Sequence, residues 1–452
     1  MTAPRLRRFA GGYRGFSRNA RIFISGSFLS SAAFGLFFVN FNLYLAARGF
    51  DLATIGLVAT TSGLSVAAAA IPASILANRI GRRNTMLLGA LGVALAFIGF
   101  ATLDALPAIF ALTVLDGGAQ QFLAIPSAPF LAENSTPDQR NEVFALNGAM
   151  FNLAQVIAGL SAGAIVGLVL GGGSANQVAS FHVLLAGMLI LISGTAILLL
   201  TMGDDRHRPA LVETGVVPPE PNQPPMAAYG ARARLSRVGI HIGDVRLFLK
   251  LVTPGFLIAI GAGQVLPFLN LYIVGRFGLD LSTTNAVFAI SALGTMIAIL
   301  IQPVIARRYG KIQSVVLVQA ASIPFIVVLG FAPWIPLVIV GMTVRNALMN
   351  AANPVFSAYV MGRVQPLERA TITASQSMVW SIGWAIGGIY YSTIQSAFGF
   401  ARGYDVNFLT IIAFYSTATA IYYLWFARPE RIARERERAQ PPGAGQPANP
   451  AP

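Results

Sequence analysis

Residues 42–51 read NLYLAARGFD, and residues 270–280 read NLYIVGRFGLD. The matched residues are offset by 270 − 42 = 228 at the Asn and by 280 − 51 = 229 at the Asp. A segment that recurs after about half the length of a 452-residue chain indicates an internal repeat. The sequence therefore predicts two structurally related halves.

The composition is that of a chain whose main solvent is lipid. Charged residues make up 11% of the chain and hydrophobic residues 55%, and the mean hydropathy is +0.66. Soluble proteins have about 25% charged residues, so this chain has too few to cover a water-facing surface. The net charge of +14 lies mainly in short Arg-rich stretches between apolar runs, which indicates cytoplasmic loops rather than nucleic-acid binding.

Apolar runs long enough to cross a bilayer as helices occur twelve times, since about 20 residues span the hydrocarbon core. We predict an all-α integral membrane protein of two six-helix bundles, at residues 22–202 and 248–427. The first six runs are Ile22 to Ala47, Ala53 to Ala77, Thr85 to Leu103, Ala108 to Leu131, Val143 to Leu170 and Ala179 to Met202. The other six are Leu249 to Gly275, Ser282 to Ala306, Gln313 to Phe331, Ile335 to Met361, Thr371 to Phe398 and Val406 to Phe426.

Basic residues predict the orientation, because cytoplasmic loops retain Lys and Arg. They precede the first run and follow the second, whereas the alternate loops hold few. Both termini are therefore expected to be cytoplasmic, in the plasma or inner membrane. Three segments lie outside the bundles: a basic N-terminus (1–21), a Pro-rich cytoplasmic linker (203–247) and a tail that is expected to be disordered (428–452).

The repeat continues beyond its first segment. Ala77, Arg79 and Gly81-Arg82 recur as Ala306, Arg308 and Gly310-Lys311, and Pro137 and Arg140 recur as Pro366 and Arg369. Six predicted helices separate each pair, so the halves enter the membrane in the same direction, as parallel repeats. Arg140 and Arg369 lie in equivalent loops beside Arg-rich turns, where salt bridges could hold the bundles together; the alternative is a solvated loop.

The stretch SILANRIGRR at residues 74–83 resembles the GxLADRxGRR signature of the major facilitator superfamily. The resemblance covers essentially the whole chain, with Ser74 and Asn78 as departures. It implies a central cavity lined by helices one, four, seven and ten, alternating access by rocking of the bundles, and a conformational motif. That motif would comprise Asn78, Arg79, Gly81, Arg82 and Arg83, with Arg308, Gly310 and Lys311 as second-half equivalents.

Asp116 and Arg345 are the first candidates for transport function. Charged groups at membrane depth are expensive, by roughly 2.5 to 3.5 kcal/mol on insertion scales. The two residues differ in number by 345 − 116 = 229, so they are equivalent in the two halves. In the family's geometry they would face each other across the cavity, where substrate or a proton could break their pairing. Alternatively, each is paired locally and only orients its helix.

Neutral polar residues on the same helices are further candidates for substrate binding or coupling. They are Asn40 and Asn42, Gln120, Gln264 and Asn270, and Asn346 and Asn350. Such groups hydrogen-bond a substrate or join helices to one another, and the sequence does not separate these roles. Glycines spaced four apart, Gly159 and Gly163 in helix five and Gly383 and Gly387 in helix eleven, predict close helix packing.

The chain lacks Cys and has three scattered His, so no metal site or cofactor is expected. No phosphate loop or nucleophile motif is visible, which argues against an enzyme or an ATP-driven pump. The expected function is gradient-driven efflux of amphipathic or apolar molecules by a monomer. A proton is a candidate coupling ion, although the family's antiporter markers in helices four and five are missing. The alternatives are an importer, a lipid-handling member, and a transport-inactive receptor or scaffold.

Overall fold

The computed structural model of the chain describes residues 15–170, 177–203, 244–361, 363–364 and 369–432. In the first half the helices are α1 (Arg18–Ala47), α2 (Leu52–Ile80), α3 (Arg82–Thr102), α4 (Leu106–Glu133), α5 (Pro137–Leu170) and α6 (Gln177–Leu200). In the second half they are the two-part α7 (Val245–Gly263 and Leu269–Phe277), α8 (Leu281–Tyr309), α9 (Lys311–Phe331), α10 (Ile335–Met361), α11 (369–398) and α12 (400–422). The described residues contain no strand.

The twelve-helix prediction is confirmed. Within the described residues, eleven segments are long and apolar enough to cross a membrane, and the last of these runs for 58 residues from Ser375 to Ile432. Gly399 interrupts that segment with a φ of 69° and a ψ of −170°, so it holds α11 and α12. Because Gly399 divides the last of the eleven segments in two, the described residues contain twelve membrane spans. The predicted N-terminus, linker and tail lie mostly outside the described residues.

Helix α7 differs from the continuous run that the hydropathy predicts. Its first part ends at Gly263, a 3-10 turn occupies Leu266–Phe268, and its second part begins at Leu269. Pro267 lies in this turn and explains it, because proline has no N–H to donate to the preceding turn and its ring clashes with the carbonyl four residues earlier. The equivalent residue in α1 is Val39 (267 − 228 = 39), and α1 is continuous.

Polar caps begin several helices. The N–H of Thr54 donates to Asp51 Oδ1 over 2.9 Å at the start of α2, and the N–H of Thr283 donates to Asp280 Oδ1 over 2.6 Å at the start of α8. These satisfy N–H groups that have no partner inside the helix. Each half therefore begins its second helix with an equivalent Asp cap.

Gly81 and Gly310 form the tight turns between α2 and α3 and between α8 and α9. Their φ angles are +88° and +94°, with a ψ of 157° at both. Glycine adopts such angles without the steric penalty of a Cβ. The two repeated glycines thus make the same turn in both halves.

The repeated Tyr and Arg of the opening segments make equivalent bonds. The Tyr44 hydroxyl donates to the Phe100 carbonyl over 2.7 Å, and the Tyr272 hydroxyl donates to the Leu329 carbonyl over 3.2 Å. In the same way, Arg48 donates to the Leu103 carbonyl, and Arg276 donates to the carbonyls of Gly330 and Ala332. In each half, these bonds attach the end of the first helix to the end of the third.

Two helical bundles follow from the packing. In the N-terminal bundle (α1–α6), α1 packs against α5 and α6, while α4 packs against α2 and α3. In the C-terminal bundle (α7–α12), α10 packs against α8 and α9, and α7 packs against the α11–α12 pair. The bundles meet through α2 with α11, α5 with α8, and α1 with α7. We call the face where α1 begins the amino face, and the face where α1 ends the far face.

Candidate functional site

Hydrogen bonds made by asparagines join α1 to α7 and α8 near the far face. Asn42 Nδ2 donates to the Pro267 carbonyl over 2.5 Å, and Asn270 Nδ2 donates to the Val39 carbonyl over 2.6 Å. Both the donors and the acceptors are offset by 228 residues, so each half gives the other the same bond. Asn40 and Asn285 form the remaining two bonds, each amide donating to the other's oxygen, at 3.0 and 2.9 Å.

Small residues bring the helices of the two bundles together in the same half of the membrane. A Cβ on Gly159 of α5 would lie 3.1 Å from the Cβ of Ala289 in α8, and one on Gly388 of α11 would lie 2.5 Å from the Thr60 hydroxyl in α2. These two contacts are again equivalent, since 388 − 159 and 289 − 60 both equal 229. The predicted close packing at Gly159 thus joins the two bundles, and Gly388, beside the predicted Gly387, does the same.

The bundles separate toward the amino face. Ile71 lies eleven residues, or three turns, beyond Thr60 on α2, and therefore on the same face. Met378 lies two turns from Ala385 on α11, whose carbonyl accepts a hydrogen bond from Thr60 over 3.3 Å. Yet Ile71 is 71% exposed and Met378 is 58% exposed. The faces that touch in the far half of α2 and α11 thus carry exposed side chains in the amino half.

Asp116 is buried in α4, ten residues beyond Leu106 and thus about 15 Å from the far end of that helix. Gln120 Nε2 donates to its Oδ2 over 2.7 Å, while its Oδ1 has no hydrogen-bond partner. Helices α4 and α2 approach each other closely here, because a Cβ on the adjacent Gly117 would lie 3.1 Å from the Ser62 carbonyl oxygen of α2. The carboxyl group is therefore held on one side only.

Arg345 occupies the equivalent place in α10, ten residues beyond Ile335. Its guanidinium donates to the Tyr415 hydroxyl of α12 and, over 2.8 Å, to Asn346 Oδ1. It also lies over the Tyr415 ring, with its Cζ 5.2 Å from the ring centroid. Asn346 in turn donates to Ser291 of α8 over 3.0 Å. Arg345 is 2% exposed, and its Nε has no partner.

The two charged groups do not form an ion pair with each other in this structure; among the described residues, each bonds within its own bundle. Their surroundings are nevertheless equivalent, because Ser62 beside Gly117 and Ser291 beside Asn346 also differ by 229. Both groups thus have local partners in the structure. The sequence had left two possibilities open, namely local pairing and pairing of the two groups across the cavity.

Gln264 stands directly before the break in α7. It is fully buried, and neither its amide oxygen nor its amide nitrogen has a partner. The Cα of Trp384 lies 2.6 Å from the place that a Cβ on the neighbouring Gly263 would occupy, and the Trp384 Nε1 is likewise buried without a partner. The Trp384 ring lies 6.4 Å from that of Phe38 in the opposite bundle. These unpartnered donors and acceptors lie beside the junction of the bundles.

The other predicted polar residues have partners of their own. Asn350 is exposed, and its amide donates to the Asn346 carbonyl over 2.9 Å. The remaining three asparagines are buried and hydrogen-bond from one bundle to the other; they are Asn40, Asn42 and Asn270.

Two arginines of the motif at the amino face bond to the ends of neighbouring helices in the N-terminal bundle. Arg82 forms a two-pronged ion pair with Glu133 at the end of α4, with Nε to Oε2 at 2.7 Å. Arg83 donates to the Leu199 and Leu200 carbonyls at 2.9 and 2.8 Å, which caps the end of α6. Arg79, Arg308 and Lys311 are exposed. The side chains of Asn78, Arg140 and Arg369 lie outside the description.

Three residues of the site were missed from the sequence. Pro267 is a visible signal, because a proline inside an apolar run predicts a kink or break. Asn285 is a polar residue near the start of a helix, where a cap or a surface position is the usual interpretation. Tyr415 carries no signal, since nothing in sequence places α12 beside α10. No cluster of three metal-ligating side chains occurs among the described residues.

Two equivalent six-helix bundles that meet near one face and separate toward the other define a membrane transporter of the two-bundle, parallel-repeat class. The family model described as Major Facilitator Superfamily matches residues 23–388. The chain belongs to the major facilitator superfamily, which confirms the resemblance seen at residues 74–83 and identifies a transporter rather than an enzyme.

Solved structures share the fold at low sequence identity. A point mutant of the nucleoside transporter NupG superposes with a TM-score of 0.70 at 14% identity, covering 90% of this chain and 100% of that one. A bacterial homolog of the human lysosomal transporter Spinster, inward-facing and occupied, gives 0.67 at 14% identity, covering 90% and 95%. The human organic anion transporter MFSD10 gives 0.59 at 18% identity, covering 90% and 99%. A comparison with curated protein sequences found no match.

Proposed function

We propose that this chain is a secondary transporter that exports small amphipathic or apolar organic molecules by alternating access, driven by an ion gradient. The observation that carries the proposal is the contrast between α2 and α11 in the two halves of the membrane. The helices touch at Thr60 and Ala385, whereas Ile71 and Met378 on the same faces are exposed. With the termini in the cytoplasm, as the basic loops predict, this is a cavity that opens inward.

The chemistry near the membrane centre favours an organic cargo of low charge. The two charged side chains at that depth, Asp116 and Arg345, are both buried and have local partners. The groups of Gln264 and Trp384 that have no partner are neutral, and a bound molecule would satisfy their hydrogen bonds in a conformation that brings the buried Gln264 to the cavity. The nucleoside and organic anion transporters that share the fold also carry small organic molecules, as their names state.

Asp116 is our candidate for proton coupling. A buried carboxylate with a single hydrogen bond is expensive at membrane depth, and a proton removes the charge. The free Oδ1 leaves an atom that a proton can occupy without breaking the bond from Gln120. In this proposal, protonation and deprotonation of Asp116 couple the proton gradient to the movement between the two open states of the transporter.

The test is transport by purified protein in liposomes that enclose a pH dye, screened against pools of organic compounds with the proton gradient in either direction. We expect certain compounds to move protons across the membrane. In Asp116→Asn, proton-driven accumulation should be lost while exchange of substrate for substrate persists. Asp104→Asn is the matched control, because the Asp104 side chain is 91% exposed and, among the described residues, forms an ion pair with Arg48.

The outcomes separate the alternatives. Accumulation inside the cytoplasm-equivalent compartment would identify an importer and overturn export. Equal proton coupling in Asp116→Asn and Asp104→Asn would remove Asp116 from the coupling mechanism. A receptor or scaffold would show no flux with any compound, which would overturn the proposal as a whole.

A further inference from the structure

The asparagines at the junction of α1 with α7 and α8 are already occupied in this structure. Asn42 and Asn270 donate across the junction, and Asn270 Oδ1 accepts the Leu271 N–H over 2.8 Å. Asn40 and Asn285 exchange bonds with each other. All four residues are buried, with exposed fractions of 0 to 8%. A substrate in an open cavity would therefore have to displace another part of the protein to reach them.

We propose that Asn40, Asn42, Asn270 and Asn285 form an uncharged latch that holds the far face closed. This latch goes beyond the proposed function. It rests on that function only because it requires the two bundles to separate. Every one of the four bonds runs from one bundle to the other, so opening of the far face breaks all of them. The latch consists of amide and carbonyl groups alone, so none of its bonds involves a charged side chain.

The geometry of Asn40 and Asn285 makes the latch reversible. Besides its bond to the other bundle, the Asn40 amide donates to the Leu36 carbonyl over 2.7 Å, one turn back on α1. The Asn285 amide likewise donates to the Leu281 carbonyl over 2.9 Å on α8. When the bundles part, each amide therefore keeps a partner on its own helix. A buried donor left without a partner would oppose opening, and these bonds remove that penalty.

The break in α7 contributes an acceptor. Leu271, which in a continuous helix would donate its N–H to the Pro267 carbonyl, donates to Asn270 Oδ1. The Pro267 carbonyl accepts from Asn42 instead. The residue that breaks the helix thus also supplies one of the latch bonds.

Cysteine labelling tests the latch directly, because the chain contains no cysteine. Ala289 is 2% exposed and lies against Gly159 of the opposite bundle in the far half, so Ala289→Cys reports on separation there. The measurement is the rate at which a membrane-impermeant maleimide, added from the far side, labels this cysteine in the full-length protein in liposomes. No substrate is needed, so the result stands even where no transported compound is known.

We expect slow labelling in the parent, and labelling about threefold faster in Asn42→Ala and in Asn270→Ala. Threefold corresponds to about 0.6 kcal/mol, an average hydrogen bond between membrane helices. The equivalence of the two bonds predicts similar increases in both variants. Asn152→Ala is the matched control, because within the described part of the chain the Asn152 amide donates to the Gly148 carbonyl on its own helix.

The double replacement Asn40→Leu with Asn285→Leu tests the latch without leaving an amide that has lost its partner. It removes both partners together, so the protein keeps an apolar contact while the latch loses two bonds. Faster labelling in this protein supports the latch. Labelling in all the latch variants as slow as in Asn152→Ala would overturn it, as would labelling of the parent as fast as that of a fully exposed cysteine.

Discussion

At the scale of single residues, Arg345 shows how a charge is accommodated in the membrane. It gives hydrogen bonds to Tyr415 and Asn346 and lies over the Tyr415 ring, so both the charge and two of its donors are compensated within one bundle. Asp116, its equivalent in the other half, has a single bond from Gln120. The two positions therefore differ in how firmly they are held, and the weakly held one is our candidate for a changing charge state.

Tyr415→Phe tests the support of Arg345. The ring remains but the hydroxyl is lost, so a buried guanidinium donor loses its acceptor, and we expect the protein to lose about 1.5 to 3 kcal/mol of stability. The measurement is thermal unfolding of the purified protein in detergent. Tyr309→Phe is the control, since Tyr309 is 48% exposed. Equal unfolding temperatures for the two variants would contradict the role given to Tyr415.

Part of the site was predictable at this scale and part was not. Asp116 and Arg345 follow from the expense of charge in lipid together with the 229-residue offset. Their actual partners do not, because a sequence does not say which face of α4 or α10 points into its own bundle. The sequence predicted that Asn42 and Asn270 make polar contacts, but it did not say whether they bind substrate or join helices. Their acceptors, the Pro267 and Val39 carbonyls, are known only from the structure.

At the scale of helices, the Asp caps are the clearest link from sequence to structure. The hydrogen bonds that Thr54 donates lower the pKa of Asp51, which lies in the loop before α2. A carboxylate at a helix start satisfies free N–H groups and interacts favourably with the helix dipole. The equivalent Asp280 does the same for α8.

Asp51→Ala should destabilise the protein by about 0.5 to 2 kcal/mol at neutral pH. Because the pKa in the folded state is lower than in the unfolded state, the cap stabilises above the unfolded value, near 3.9, and this contribution is lost as the pH falls through the folded value. Thermal unfolding of parent and variant at pH 7 and pH 3 checks this. A difference that does not shrink at pH 3 would contradict the cap.

Helices were more predictable than the details of their ends and breaks. Length and hydropathy were sufficient for the twelve spans, and the repeat predicted that Gly81 and Gly310 would play the same part. The break in α7 was missed because the apolar run continues through it, although Pro267 marks the place. Hydropathy measures burial in lipid, and it does not respond to the missing N–H of one residue.

At the scale of the whole molecule, small residues and hydrogen bonds lie where the two bundles meet. Gly159 with Ala289 and Gly388 with Thr60 are the equivalent close approaches. Such contacts bring backbones near each other while leaving few side chains to disentangle on separation. This arrangement suits an interface that forms and breaks during each transport cycle.

A disulfide at one of these approaches should trap the protein with its far face closed. The Cβ of Ala289 lies 3.1 Å from the place of a Cβ on residue 159, close to the separation of about 3.5 to 4.5 Å that a disulfide needs. Oxidation of Gly159→Cys with Ala289→Cys is expected to stop substrate flux in liposomes, and dithiothreitol to restore it. The two single variants are the controls, and unchanged flux in the oxidised double variant would show that the far face need not open.

The reciprocal bonds of Asn42 and Asn270 have the form of a contact between identical subunits. In a two-fold symmetric dimer, a residue of one copy meets a second residue of its partner, and the same pair recurs with the roles exchanged. Here Asn42 meets Pro267 and Asn270 meets Val39, at one constant offset within a single chain. The junction of α1 and α7 thus has the two-fold form of a homodimer interface, formed within a single chain.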